Sequence, residues 1–205
     1  VSAFAVDILR TTGQHVVIVI VSVVLASAIG VPLGIFCTRN PSAGRIALRI
    51  IDIVQTIPSI ALLGFLIPVP FIGGIGSRTA IVALVLYSLL PIVRNTFTGI
   101  RGVDPTVRDA GIALGLTKRQ LLREVELPLA LPTIIAGLRI ATVIAISVAT
   151  IAAAVGGGGL GTFIFRGVSM VDTRLILAGA VPAAVLAVIA DLALSALERR
   201  MKDEG

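Results

Sequence analysis

The chain has no tryptophan, one cysteine, one histidine and one tyrosine among 205 residues. Cys37 alone cannot form an internal disulfide, and a cysteine-rich metal site cannot be built from it. With His15 the only histidine, a histidine-based metal cluster or a Ser-His-Asp triad is all but excluded. Charge is scarce as well. Only 14% of residues are Asp, Glu, Lys or Arg, where a soluble domain carries about 25%. What fills the space is apolar: 57% of the chain is hydrophobic. There are too few polar groups to coat a water-facing globule. An ordinary cytosolic enzyme and a disordered chain are both excluded, and the bilayer is the solvent to consider.

A membrane-crossing helix needs about 20 mostly apolar residues. The pattern predicts five such spans in a single domain covering 1–205. The first is 16–36, free of charge, ending in the turn signal Arg39-Asn40-Pro41-Ser42. His15 to Phe36 is too long, and too poorly supplied with a cleavage site, for a signal peptide. The second span is 50–67, interrupted by Asp52, Gln55 and Pro58. The third is 79–93, with Pro91 near its end. The fourth is 132–155 and contains Arg139. The fifth is 175–197 and contains Pro182 and Asp191. The expected class is therefore an all-α membrane protein.

Net charge is +6. In a soluble protein this would suggest nucleic acid; here basic cytoplasmic loops explain it better. Four basic residues, Arg10, Arg78, Arg166 and Arg174, fall on the side of the N-terminus. The other thirteen fall on the opposite side. That bias places the N-terminus outside and the C-terminus in the cytoplasm.

The spans carry features that an inert anchor would not need. Ala26, Gly30 and Gly34 form a small-residue stripe that lets another helix approach closely. Pro58 and Pro182 each remove a backbone donor and predict a kink. Asp52 follows Arg49 by three residues, so the two are expected to pair on one helix face. Arg139 lies about 10 Å into its span and can snorkel to the cytoplasm. Gln55, Thr56, Pro58 and Ser59 are candidates to line a pathway.

The longest polar stretch, 94–131, reads as two short helices. Asp104 is a good N-cap and Pro105 a good first helical residue. Gly115 can take the left-handed conformation that ends this helix. Thr117 starts again, with Gln120 at capping-box spacing, and the second helix is expected to end by Leu127-Pro128. Val107, Ala110, Gly111 and Leu114 share one stripe. A capped amphipathic helix between two spans suits a membrane surface or a soluble partner.

This loop carries Asp109-Ala110-Gly111, three residues, Gly115, nine residues, then Val125-Glu126-Leu127-Pro128. The spacing resembles the Glu-Ala-Ala loop of importer permeases driven by ATP-binding cassettes (ABC importers). The departures are Asp for Glu, Gly for the second Ala and Val for Ile. The segment Gln55 to Gly64 is similar to the second-span signature of permeases for glycine betaine, carnitine, choline and proline. Gly156 to Gly167 is similar to the segment after their fourth span. Methionine permeases share the same five-span core.

The resemblance implies the type I ABC importer permease fold and a place in the bacterial inner membrane. It implies three protein partners: a cytoplasmic ABC ATPase dimer, an extracytoplasmic solute-binding protein, and a second permease subunit, identical or paralogous. The ATPase-coupling residues would be Asp109, Ala110, Gly111, Leu114, Gly115, Leu127 and Pro128. No cofactor is expected on this chain, ATP and Mg being held by the ATPase. The glycine run does not make a phosphate loop, because Thr162 follows Gly161 where lysine is required. Two other classes remain open on the residues alone. A passive solute channel is compatible with five spans and a polar second one. A DNA-binding helix–turn–helix is disfavoured, since both ends of the basic loop are anchored by spans.

Overall fold

The computed structural model describes residues 3–203, and every regular element in that range is helical. The longest apolar runs form rods. Helix α1 is Ala3–Arg39, α4 is Ser77–Arg101, and α9 is Thr173–Asp203. Between them lie α2 (Pro41–Thr56), α3 (Ser59–Leu66), α5 (Pro105–Ala113), α6 (Lys118–Gln120), α7 (Leu127–Ala152) and α8 (Gly161–Met170). Helix α6 runs through a π-helical turn, Leu121–Glu126, directly into α7. A 3₁₀ turn, Ala153–Val155, ends that rod.

Four helices are long and apolar enough to cross a membrane, or five if the bent pair α2–α3 counts as one. The exposed surface agrees with that medium. On α9, Val181, Val185, Val188, Ile189 and Leu192 are each at least half exposed. A water-soluble monomer does not leave such a face uncovered.

Helices α1, α3, α4 and α7 share the main core. Ala80, Ala83, Ala145, Ala149 and Ala152 sit among Ile18, Val23, Leu63, Leu84 and Ile146. Small residues bring the backbones close, the usual basis of helix association in lipid. The stripe on α1 works this way. A methyl on Gly34 would lie 2.6 Å from Thr96 Cβ, and one on Gly30 would lie 2.8 Å from Ile92 Cγ2.

Several boundaries differ from the sequence expectation. The second span is not one kinked helix. Helix α2 begins at residue 41, and α2 and α3 meet at 101°. The residue before a proline is steered away from the α region, and Ile57 is extended, with φ −73° and ψ 126°. Helix α4 continues past Pro91 to Arg101, so the polar loop is shorter than 94–131. Leu127-Pro128 does not end a helix: Lys118–Val155 is one run of 38 residues. The wider π turn ahead of Pro128 takes up the step that a missing N–H leaves in an α ladder. Pro182 likewise sits inside an uninterrupted α9.

Helix α8 has no counterpart in the sequence expectation. The glycine run forms a tight turn with φ of 76° at Gly156 and 78° at Gly158. Helix α8 then packs on α9 through Gly167 and Gly179, where added methyls would meet Ile176 N at 2.6 Å and Ile164 Cγ1 at 2.8 Å. His15, fully buried in α1, accepts the Leu160 N–H on Nδ1 at 3.4 Å, fastening α1 to this turn.

Candidate functional site: a capped docking helix and the corner beside it

The local signals in the loop produce the geometry they encode. The Asp104 carboxylate accepts the Thr106 N–H at 2.7 Å, which starts α5. Gly115 takes φ 82° and ends the turn after α5. The Thr117 hydroxyl oxygen accepts the Gln120 N–H while the Gln120 side chain accepts the Thr117 N–H, a complete capping box. An Asp104→Ala variant should lose about 1 kcal/mol of helix stability. Faster amide exchange over residues 105–113, with little change in the melting of the whole subunit, is the expected reading.

The stripe predicted on α5 divides in two. Leu114 is 84% exposed, Ile112 57% and Val107 43%. Asp109 and Ala110 are exposed as well. Gly111 is buried: a methyl there would lie 2.8 Å from Leu121 Cδ1 and 3.2 Å from Leu116 Cδ1. It therefore packs α5 against the following helix and offers no backbone to a partner. Gly115 is exposed and has open space around its Cα. Leu127 is half-buried and Pro128 exposed, both in the first turn of α7.

Behind α5 lies a feature that the motif does not single out. The Glu126 side chain is 1% exposed and forms ion pairs with Arg39, at the end of α1, and Arg108, on α5. Arg108 Nε stands 2.9 Å from Glu126 Oε1. Arg108 also donates through Nη2 to the Ile100 carbonyl at 2.8 Å, which adds the end of α4. These residues, with Arg101, Lys118 and Arg119, border an open groove of about 660 Å³. The clue the sequence offers is an acid set directly between the apolar Val125 and Leu127.

The residues expected to line a pathway gather at the α2–α3 corner. The Gln55 side-chain amide donates to the Tyr87 carbonyl at 2.6 Å. The Thr56 hydroxyl donates to the Ile53 carbonyl at 2.7 Å. The Ile57 N–H reaches the Val54 carbonyl, and the Tyr87 hydroxyl donates to the Ile57 carbonyl. Thr56 and Pro58 are exposed, while Gln55 and Ser59 are half-buried. Asp52 does not pair with Arg49. It binds Arg94 of α4 through both carboxylate oxygens, at 2.7 and 3.0 Å. Arg139 is paired rather than merely snorkelling: it meets Asp191 and Glu198 of α9, each at 3.1 Å.

Comparison with known proteins accounts for this arrangement. Residues 30–203 match the family model described as the binding-protein-dependent transport system inner membrane component. The glycine betaine/carnitine/choline transport system permease protein OpuCB of Bacillus subtilis (strain 168) is 43% identical over 199 residues, covering 97% of this chain and 90% of that protein. The osmoprotectant import permease protein OsmW of Salmonella typhimurium is 44% identical, over 95% of this chain and 91% of that one. Among solved structures, an inward-facing form of the MetNI methionine ABC transporter superposes with a TM-score of 0.88. It is 25% identical and covers 98% of this chain and 99% of that one. The helical order, the loop between α4 and α7, and these likenesses agree: the chain belongs to the family of inner-membrane components of binding-protein-dependent transport systems, with the type I ABC importer permease fold.

Proposed function

We propose that this chain is the permease subunit of an ATP-driven importer that moves a compatible solute of the glycine betaine, carnitine and choline class into the bacterial cytoplasm. The observation that carries this reading is α5. It is a capped helix at the end of the bundle, and it presents Val107, Ile112 and Leu114 to solvent within a motif of fixed spacing. Val107 and Leu114, seven residues apart, share one exposed side that the caps hold outward, and such a side is suited to a groove in a soluble partner. Relatives 43–46% identical that carry osmoprotectant names support the substrate class. The methionine reading rests on a fold likeness at 25% identity and is the weaker.

In this reading a cytoplasmic ABC ATPase dimer receives α5 and holds the ATP and Mg. An extracytoplasmic solute-binding protein delivers cargo, and a second permease subunit completes the pathway. The basic bias of the loops supports a cytoplasmic C-terminus and an external N-terminus. The run Lys118–Val155 then acts as a lever about 55 Å long. A push on the coupling loop is delivered to the glycine turn at the far end without an intervening break. Alternating access follows from rocking such rods about the α1–α4–α7 core.

High-affinity recognition is assigned to the binding protein. A quaternary ammonium has no N–H donor and is best held by aromatic faces. Here there is no tryptophan, and Tyr87 is buried with its hydroxyl engaged at the corner. Gln55, Thr56, Pro58 and Ser59 would border a weak, transient passage.

The test is uptake of labelled glycine betaine in cells lacking other betaine importers, with the chain expressed beside its ATPase and binding protein. Unlabelled carnitine, choline or proline should compete, and methionine should not. Competition by methionine alone reassigns the substrate. Uptake that persists without any ATPase makes the chain a passive channel.

A further inference from the structure

We infer that Glu126 is a positioning residue that locks the coupling helix to the first and fourth spans, so that motion of α5 is passed on and not absorbed. This rests on the transport reading above and deepens it. Three observations meet at this carboxylate. Its side chain is almost fully buried, although it lies at an end of the bundle beside Arg39, Arg101, Arg108, Lys118 and Arg119. It is held by two arginines from two other elements, Arg39 closing α1 and Arg108 in the middle of α5. It is also the last residue of the π turn that joins the loop to α7. Such turns are rare, and they recur at functional sites.

The chemistry explains why the position should act as a lock. A buried carboxylate is costly unless its charge is matched, and removing it leaves Arg39 and Arg108 facing each other with no counter-charge. Arg108 cannot move alone, because its guanidinium also holds the Ile100 carbonyl at the end of α4. Displacing α5 therefore pulls on α1, α4 and α7 together. With the carboxylate gone, α5 keeps its caps and its outward face, so an ATPase can still dock. What is lost is the tie between the docked helix and the spans.

The test separates docking from transmission. The complete importer, with its ATPase and binding protein, is placed in liposomes, and glycine betaine uptake and ATP hydrolysis are measured on the same sample. Glu126→Gln should lower uptake about tenfold while hydrolysis per assembled complex changes less than about twofold. Arg39→Gln is the second variant. Its side chain is 42% exposed, so it tests the tie to α1 with little risk to folding. Uptake should fall in the same direction, again with hydrolysis retained.

If uptake and hydrolysis fall in step in Arg39→Gln, or neither falls, the lock is wrong. Should Glu126→Gln fail to fold, Arg39→Gln alone decides between the two outcomes. A wild-type chain that neither binds a cassette ATPase nor takes up betaine overturns the transport reading itself.

Discussion

A Leu114→Asp variant is expected to reach the membrane in normal amount and to transport almost nothing. The two halves of that statement have separate causes. Leu114 is 84% exposed, so its removal takes nothing from the core. Substitutions at such sites usually change stability by less than about 0.5 kcal/mol. Docking is different. Burying a leucine in a partner's apolar socket contributes about 1.5–3 kcal/mol, and an unpaired carboxylate in that socket costs more still. At about 1.4 kcal/mol per factor of ten, the loss of ATPase affinity should exceed roughly a hundredfold. Co-purification of the ATPase with tagged permease, beside betaine uptake, measures both halves. Normal co-purification would mean that the face around Leu114 is not the contact.

The second large effect is purely steric. Gly161→Ala is expected to abolish the folded subunit, or to displace α8 from its seat. A methyl at Gly161 would overlap the Thr150 carbonyl oxygen outright. It would also stand 2.7 Å from that carbonyl carbon and 2.8 Å from Ala153 Cβ. Most of these atoms belong to the backbone of α7, so no flexible side chain can yield. Overpacking a core usually costs about 1–3 kcal/mol, occasionally more, and a backbone clash belongs at the upper end. Gly64→Ala is the matched control: it lies in α3, and a methyl there meets nothing within 4 Å. Replacing a mid-helix glycine by alanine should stabilise by about 0.5–1 kcal/mol. Thermal unfolding of the purified permease in detergent compares the two. Equal melting of Gly161→Ala and the wild type would show that the α7–α8 turn relaxes freely.

What can be read from the sequence is whatever a few neighbouring residues decide. The caps at Asp104, Thr117 and Gln120 and the stop at Gly115 depend on one turn of chain, and all four are legible. So is the stripe at Ala26, Gly30 and Gly34, because helix periodicity places it on one face whatever packs there. Where sequence and structure part, the cause is shared: distant partners outweigh local rules. Helix spacing pairs Asp52 with Arg49, three residues back, but Arg94 offers two oxygen contacts from another helix. Local rules put helix ends near Pro91 and at Pro128, yet each lies within a continuous helical run. At Pro91 the carbonyl left free one turn back is that of Tyr87, and the Gln55 side chain of α2 donates to it at 2.6 Å. Pro58 alone breaks its helix, by an angle no local rule specifies. Helix α8 escapes notice because glycines surround a short segment whose packing surface lies on α9. Glu126 escapes because burial of an acid is a property of three elements meeting, and no single stretch of sequence contains it.

The corner at Pro58 has one more implication. Lipid offers no hydrogen bonds, so a wall that bends inside a membrane normally bares acceptors it cannot satisfy. Here three of those oxygens are taken by nearby groups: Thr56 serves Ile53, the Ile57 amide serves Val54, and Tyr87 reaches across from α4 to Ile57. The bend can therefore lie within the bilayer at little cost, while Leu62 and Leu63 beyond it anchor the short segment Ser59–Leu66 in the core.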